Sequence, residues 1–136
     1  PSWSPDGKWL VFETYVNDNL EVAVMSVTDL SQPFTQLTED PASDHSPVWA
    51  PDGRHVTFVS TRGSDSDIWL ANLDVTGEER YTNISNTPNE SENHPVWNQD
   101  GSQLLWSSAA QTLGYNGIYL WTANDPPPSA ARWLGS

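Results

Sequence analysis

The chain has 136 residues, with five Lys and Arg against 18 Asp and Glu, a formal net charge of −13 at pH 7 and no cysteine. This charge repels a phosphate backbone and anionic lipid headgroups, which argues against nucleic acid and membrane surfaces as partners. Disulfide and thiol chemistry are excluded. No run approaches the roughly 18 apolar residues of a membrane span and no signal peptide opens the chain, so we expect no membrane insertion.

The opening stretch, PSWSPDGKWLVFE, returns twice along the chain, as SPVWAPDGRHVTFVS and HPVWNQDGSQLLWSS. Trp3, Trp49 and Trp97 are therefore equivalent positions, and they lie 46 and then 48 residues apart. In each copy a turn containing Asp-Gly separates two apolar strands, and a third strand follows a polar loop. Repetition at this period is typical of propeller blades.

Each copy predicts four short antiparallel strands and no helix. The expected strands are 1–4, 8–14, 21–28 and 34–38; then 46–50, 55–61, 67–73 and 80–85; then 94–98, 103–107, 117–123 and 131–134. The proline run 126–128 is expected in a loop, because proline cannot donate a ladder hydrogen bond. The predicted fold class is all-β: one β-propeller segment of three four-stranded antiparallel blades, at 1–43, 44–91 and 92–136.

A single blade cannot bury both of its faces, so the apolar rows of neighbouring blades are expected to cover each other. The chain opens on an innermost strand and ends on an outermost one, and three blades are half of a six-bladed ring. The two outer blades would then each leave an apolar face bare. We expect two copies to pair as a closed two-fold dimer that completes six blades. The alternative is a segment cut from a longer or engineered chain.

The pattern P-x-W-S-P-D-G-K, followed by an apolar strand, resembles the TolB-like or WD40-like (PD40) β-propeller repeat. The match covers 1–12 and 47–58, and DIWL at 67–70 is similar to the later strand of that repeat, whereas the third copy has Asn98-Gln99 where the first has Ser4-Pro5. The resemblance implies a periplasmic or extracellular scaffold that binds proteins or ligands. It also implies an alternative, the propeller that gates substrate entry in prolyl-oligopeptidase-like serine peptidases. A shared fold does not by itself transfer function.

Sequence motifs for catalysis are absent from this chain. There is no G-x-S-x-G at a strand-to-helix turn, no H-E-x-x-H and no C-x-x-C. The three histidines stand in unrelated settings, so a catalytic zinc site has no support in the sequence. We expect the chain not to be an enzyme.

Polar residues that enter the innermost strands are the first candidate site. They are Asp44 and His45 in the second copy and Glu92, Asn93 and His94 in the third. In a propeller these loops lie near the mouth of the central channel, where the repeats could converge on a peptide, another ligand or a cation. The simpler alternative is that these side chains cap turns by bonding to their own backbone.

Alternating acids in the second copy are the other candidate. Asp65 and Asp67 favour a calcium ion, but the Gly and Glu that an EF-hand loop requires at its sixth and twelfth positions are missing. The third copy has Gly117 in place of Asp67, so capping of a turn is the alternative. No cofactor is expected, with calcium as the one candidate.

Overall fold

A computed structural model describes residues 1–110, 115–123 and 132–135, and the proline run 126–128 lies outside them. The described residues form twelve strands and one 3-10 helix. The strands are β1 (Ser2–Trp3), β2 (Trp9–Val16), β3 (Asn19–Ser26), β4 (Thr35–Gln36), β5 (Asp44–Trp49), β6 (His55–Ser60), β7 (Asp67–Asn72), β8 (Tyr81–Asn83), β9 (Glu90–Trp97), β10 (Gln103–Ala110), β11 (Tyr115–Thr122) and β12 (Arg132–Gly135).

The strands form three antiparallel four-stranded sheets, each made of consecutive strands: β1 to β4, β5 to β8, and β9 to β12. This confirms the predicted all-β fold and its three blades, numbered here 1 to 3. The Asp-Gly turns recur because Gly7, Gly53 and Gly101 have φ of 69°, 71° and 75°, a region that favours glycine. The same turn therefore joins the first two strands of every blade.

The innermost strands β5 and β9 begin earlier than predicted, at Asp44 and Glu90. The third sheet thus starts two residues before the blade boundary expected at 92. Both strands continue through a β-bulge, where Ser46 and His94 have φ of 53° and 57°. A residue before proline normally avoids such a conformation, so local sequence rules start both strands too late in the chain.

The prediction that no helix occurs was wrong by one turn, the 3-10 helix Glu78–Arg80. Three residues are too few to show an apolar period, so the sequence gives no signal for it. None of the helical structure among the described residues is long and apolar enough to cross a membrane.

The core consists of two apolar clusters that lie between blades rather than within them. We call the face of a blade that meets the preceding blade its leading face, and the opposite one its trailing face. The first cluster joins the trailing face of blade 1 to the leading face of blade 2 through Val11, Val22, Leu37, Trp49, Val56, Phe58 and Ala71. The second joins blades 2 and 3 in the same way through Val59, Ile68, Ile84, Leu104, Trp106 and Trp121.

Two faces have no covering blade within the described part of the chain: the leading face of blade 1 and the trailing face of blade 3. Trp3 on the first is 60% exposed, whereas the equivalent Trp49 is 9% exposed. Ile118 on the second is 50% exposed, whereas the equivalent Ile68 is 0% exposed. Both open faces therefore carry apolar residues at positions that the internal contacts bury.

Candidate functional site

Asp44, the first predicted site residue, is fully buried at the first junction, which we define as the polar contact between blades 1 and 2. Its Oδ2 accepts a hydrogen bond of 2.8 Å from Arg62 Nη2, and Arg62 Nε lies 3.5 Å from Asp40 Oδ2. The guanidinium carbon of Arg62 is 4.8 Å from the ring centroid of Trp69, which allows a cation–π contact. Asp44 therefore neutralises a buried cation and is not displayed in an open loop.

A second carboxylate at the first junction, Glu21, joins β3 to the segment that leads into blade 2. Thr38 Oγ1 donates to Glu21 Oε2 at 2.6 Å and accepts from the backbone N–H of Val22 at 2.9 Å. The N–H of Asp40 donates to Glu21 Oε1 at 3.1 Å. Both carboxylate oxygens of Glu21 therefore accept hydrogen bonds, whereas Asp44 Oδ1 has no hydrogen-bond partner among the described residues.

The second junction, the polar contact between blades 2 and 3, repeats this arrangement with Asp67, Ser85 and Glu92. Ser85 Oγ accepts from the backbone N–H of Ile68 at 2.9 Å. It also lies 3.2 Å from Asp67 Oδ1 and 3.1 Å from Glu92 Oε2. The structure therefore brings together Glu92 and Asp67, which the sequence assigned to two separate sites.

Glu92 differs from Asp44 in having no cationic partner. It is fully buried, and its Oε1 has no hydrogen-bond partner among the described residues. Burial, followed by the neighbouring carboxyl of Asp67, raises the pKa of Glu92 to about 9. These surroundings favour the neutral form of Glu92.

The remaining predicted channel residues, His45, Asn93 and His94, are half-buried or exposed around the two bulges. His45 Nδ1 is 2.8 Å from Ser46 Oγ, and His94 Nδ1 is 3.1 Å from Ser107 Oγ. These contacts fix the rings beside the strands and leave part of each residue accessible. A role for them in ligand binding stays a prediction.

Asp65 lies in the loop before β7 and accepts hydrogen bonds at Oδ2. The donors are Ser64 Oγ and the backbone N–H of Asn89, both at 3.0 Å. Among residues 1–110, 115–123 and 132–135, no three His, Asp or Glu side chains are grouped so that they could hold a metal ion. The suggestion of calcium at Asp65 and Asp67 thus stays a prediction, and the described residues contain no cluster of ligands that would support it.

Two clefts lie between neighbouring blades, beside the Asp-Gly turns and away from the end that holds Asp44 and Glu92. The larger, about 600 Å³, is lined in part by Asp6, Trp49 and Asp52. The smaller, about 250 Å³, has Asp52, Trp97 and Asp100 at the equivalent positions. The clefts are thus products of the repeat.

The carboxylates in these clefts accept hydrogen bonds from residues of the turns to which they belong. Ser4 Oγ donates to Asp6 Oδ1 at 2.6 Å and the N–H of Lys8 donates to the same atom at 3.0 Å, and these bonds lower the pKa of Asp6. Ser102 gives Asp100 the same two contacts, at 2.6 and 2.9 Å, and likewise lowers its pKa. The acids in these clefts therefore cap their turns.

Sequence reasoning missed Arg62 and Ser85, the residues that decide the charge state of the two junctions. Arg62 follows its turn glycine by nine residues, and the third copy has Ala110 at the same distance. A cation that one copy has and another lacks is the signal that could have identified the pair. Ser85 stands alone in a polar stretch and gives no such signal.

Three four-stranded antiparallel sheets, packed face to face with their first strands innermost, define a segment of a β-propeller. The family model described as TolB beta propeller domain (PD40) matches residues 1–126. The chain belongs to this family, and the resemblance seen in the repeated turn motif is confirmed.

A curated relative is the Tol-Pal system protein TolB of Francisella tularensis subsp. mediasiatica, 26% identical over 84 residues. That match covers 60% of this chain and 19% of the relative, so the matched part is about a fifth of the relative's length. A solved structure assigned to TolB, from Agrobacterium tumefaciens, has a TM-score of 0.79 at 21% identity, over 98% of this chain and 47% of that one.

Propellers of peptidases are also similar in structure. A structure from a study of two prolyl endopeptidases has a TM-score of 0.68 at 10% identity and covers the whole of this chain but 21% of that one. At such identities both structural matches show the fold alone.

Proposed function

We propose that this chain is a non-catalytic binding scaffold that pairs with a second copy of itself through its two open blade faces. The observation that carries the proposal is that these faces repeat the chemistry of the faces buried inside the chain. Burial of apolar surface is the main source of free energy in such contacts. A second copy would supply each open face with the partner that its equivalents already have.

The leading face of blade 1 repeats the aromatic pair of blade 2. Phe12 and Phe34 meet edge to face with centroids 5.8 Å apart, as Phe58 and Tyr81 do at 6.4 Å. Phe58 is fully buried, whereas the equivalent Phe12 is half-buried. Likewise Tyr81 is half-buried, whereas the equivalent Phe34 is 49% exposed. The leading face of blade 1 thus has the aromatic geometry that blade 2 uses to contact a neighbouring blade, but no neighbouring blade covers it among the described residues.

The trailing face of blade 3 offers the complementary surface. Ile118 and Leu134 hold the positions at which Ile68 and Ile84 pack against the following blade. Because the leading and trailing faces fit each other twice within one chain, a two-fold pair of copies could form the same contact twice more. Six blades would then surround a shared channel, as expected from the sequence.

Ligand binding by this scaffold would use the channel end of β5 and β9. His45, Asn93 and His94 retain accessible surface there, whereas the buried Asp44 and Glu92 hold the strands in place. The ligand class we propose is a protein or peptide, bound through several weak contacts on a rigid surface. Membership of the TolB family supports a periplasmic or extracellular location.

Light scattering behind size exclusion tests the pairing. We expect a mass near twice 15.1 kDa at high protein concentration. The variant Phe34→Glu places a charge on the open leading face and should reduce the mass to that of one chain. As a control, Leu30→Glu changes an apolar residue in the loop before β4 that is 73% exposed, and it should leave the pair intact. A compact wild-type monomer at every concentration would contradict the pairing.

A second candidate is the substrate-gating propeller of a serine peptidase. The match of the whole chain to a prolyl endopeptidase structure supports it. The test is fluorophosphonate labelling of the protein as its natural source produces it, because this reagent reacts with an activated serine. Labelling of a product that contains this propeller would favour the peptidase, and an unlabelled product would favour the scaffold.

A further inference from the structure

At the second junction the donors are unevenly divided between the two acids. Asn83 Nδ2 and the backbone N–H of Thr87 donate to Asp67 at 3.0 and 3.3 Å. Glu92 Oε2 contacts the hydroxyl of Ser85, and Glu92 Oε1 has no hydrogen-bond partner among the described residues.

A serine hydroxyl has a single hydrogen, and Ser85 Oγ contacts both Asp67 Oδ1 and Glu92 Oε2. The same oxygen already accepts the N–H of Ile68. If Ser85 donates to Asp67, the short contact with Glu92 requires a hydrogen that Glu92 itself carries.

The first junction shows how the same place is neutralised when a cation is available. There Asp44 stands where Glu92 stands, and Arg62 Nη2 donates to it at 2.8 Å. The position equivalent to Arg62 is Ala110, which is buried and carries no charge. No ion pair among the described residues involves Glu92. An ionised carboxylate in this setting would be buried without compensation.

We propose that Glu92 and Asp67 share one proton at the second junction, which makes the packing of blade 3 on blade 2 sensitive to pH. The proton sits on Glu92 Oε2 and is donated to Ser85 Oγ, and Ser85 donates its own hydrogen to Asp67 Oδ1. This chain of hydrogen bonds links β9 of blade 3 to β7 and the segment after β8 of blade 2. It rests on the observed geometry and does not depend on the pairing of two copies.

The acidic groups around Glu92 raise its pKa, whereas the hydroxyl of Ser85 acts in the opposite direction. Asp67 on β7 and Glu90 on β9 are acidic and disfavour a second negative charge. β10 contributes the hydroxyl of Ser108, which donates to Glu90, and the buried methyl group of Ala110. The segment after β8 contributes the hydroxyl of Ser85. A hydrogen bond from this hydroxyl favours an ionised Glu92, but burial and the neighbouring carboxyl of Asp67 outweigh it.

The direction of the pH effect follows from linkage. The folded chain keeps a proton on Glu92 that the unfolded chain releases above the ordinary value of 4.5, because the folded pKa is about 9. The stability from this group is therefore complete below pH 4.5 and is lost as the pH rises toward 9. Ionisation places two carboxylates side by side between the blades and weakens their contact.

Thermal unfolding of the whole chain at pH 5 and pH 8, at one fixed protein concentration, tests this proposal. The variant Glu92→Gln keeps the shape of the neutral acid and cannot ionise. We expect it to match the wild type at pH 5 and to raise the Tm by about 3 °C or more at pH 8. Glu79→Gln is the control, because it removes one negative charge from an exposed position that does not affect the pKa of Glu92 and should keep the wild-type pH dependence.

A direct readout is the ¹³C NMR titration of the Glu92 carboxyl carbon, for which we expect a midpoint above pH 7. A midpoint near 4.5, or a Glu92→Gln variant that is less stable than the wild type at both pH values, would overturn the proposal. The last part of the experiment repeats the thermal unfolding at pH 8 with calcium added. If millimolar calcium stabilises the wild type at pH 8 and has no effect on Glu92→Gln, the junction binds a metal ion and the shared proton is wrong.

Discussion

Replacing Arg62 with Met is expected to lower the free energy of unfolding by about 3–5 kcal/mol, as removal of one partner of a buried ion pair typically does. The loss arises because Asp44, which is fully buried, would keep a charge without a partner. Methionine is chosen because its unbranched side chain preserves much of the contact with the rings of Phe58, Trp69 and Tyr81. Urea-induced unfolding, followed by tryptophan fluorescence at pH 7, measures the change.

The matched control is the double variant Asp44→Asn with Arg62→Met, which removes both charges of the ion pair between these two residues. A buried ion pair can often be replaced by neutral residues at little cost, so the double variant should recover most of the lost stability. If Arg62→Met alone costs less than about 1 kcal/mol, which is within the range of an exposed pair, Asp44 would have to be neutral without its guanidinium. The contrast between the two junctions would then lose its physical basis.

The two junctions have the same backbone arrangement, and each must neutralise a buried acid, but they do so with different groups. Each buries an acid at the start of an innermost strand, Asp44 in β5 and Glu92 in β9. A guanidinium neutralises the first, and a proton neutralises the second in our proposal. Only the second solution depends on pH in the range that proteins experience. The pH sensitivity is therefore a property of one junction and not of the repeat.

The blades could be predicted from the sequence because their signals are local. The Asp-Gly turns, the alternation of apolar residues and a period of 46 to 48 residues all lie within short windows. The bulges at Ser46 and His94 could not, because a left-handed residue before proline contradicts the local preference. The strands consequently begin two and four residues earlier than their patterns indicate.

The sequence identifies the equivalent acids of the candidate site, but it does not show which residues surround them or that they are buried. Asp44 and Glu92 were recognised as equivalent polar residues, but the sequence places them in open loops and the structure buries both. Polar residues beside a strand look alike whether they are solvated or paired. Arg62 is 18 residues from Asp44 in the chain, and Ser85 is seven from Glu92, so only the folded sheets bring these partners together.

Truncating Ile68 to Ala is expected to cost about 2–5 kcal/mol, because this side chain is fully buried between blades 2 and 3 and its loss leaves a cavity. Ile118 has the equivalent position on the open trailing face of blade 3, and in one isolated chain Ile118→Ala should cost only about 0.5 kcal/mol. The comparison tests whether a second copy covers this face.

Urea unfolding of both variants at two widely separated protein concentrations makes this measurement. If two copies pair, the cost of Ile118→Ala should grow with concentration toward that of Ile68→Ala, because association stabilises the folded state by mass action. The cost of Ile68→Ala serves as the internal reference, since its surroundings lie within one chain. A small and constant cost for Ile118→Ala would show that this face stays exposed in solution, and it would contradict the pairing of two copies.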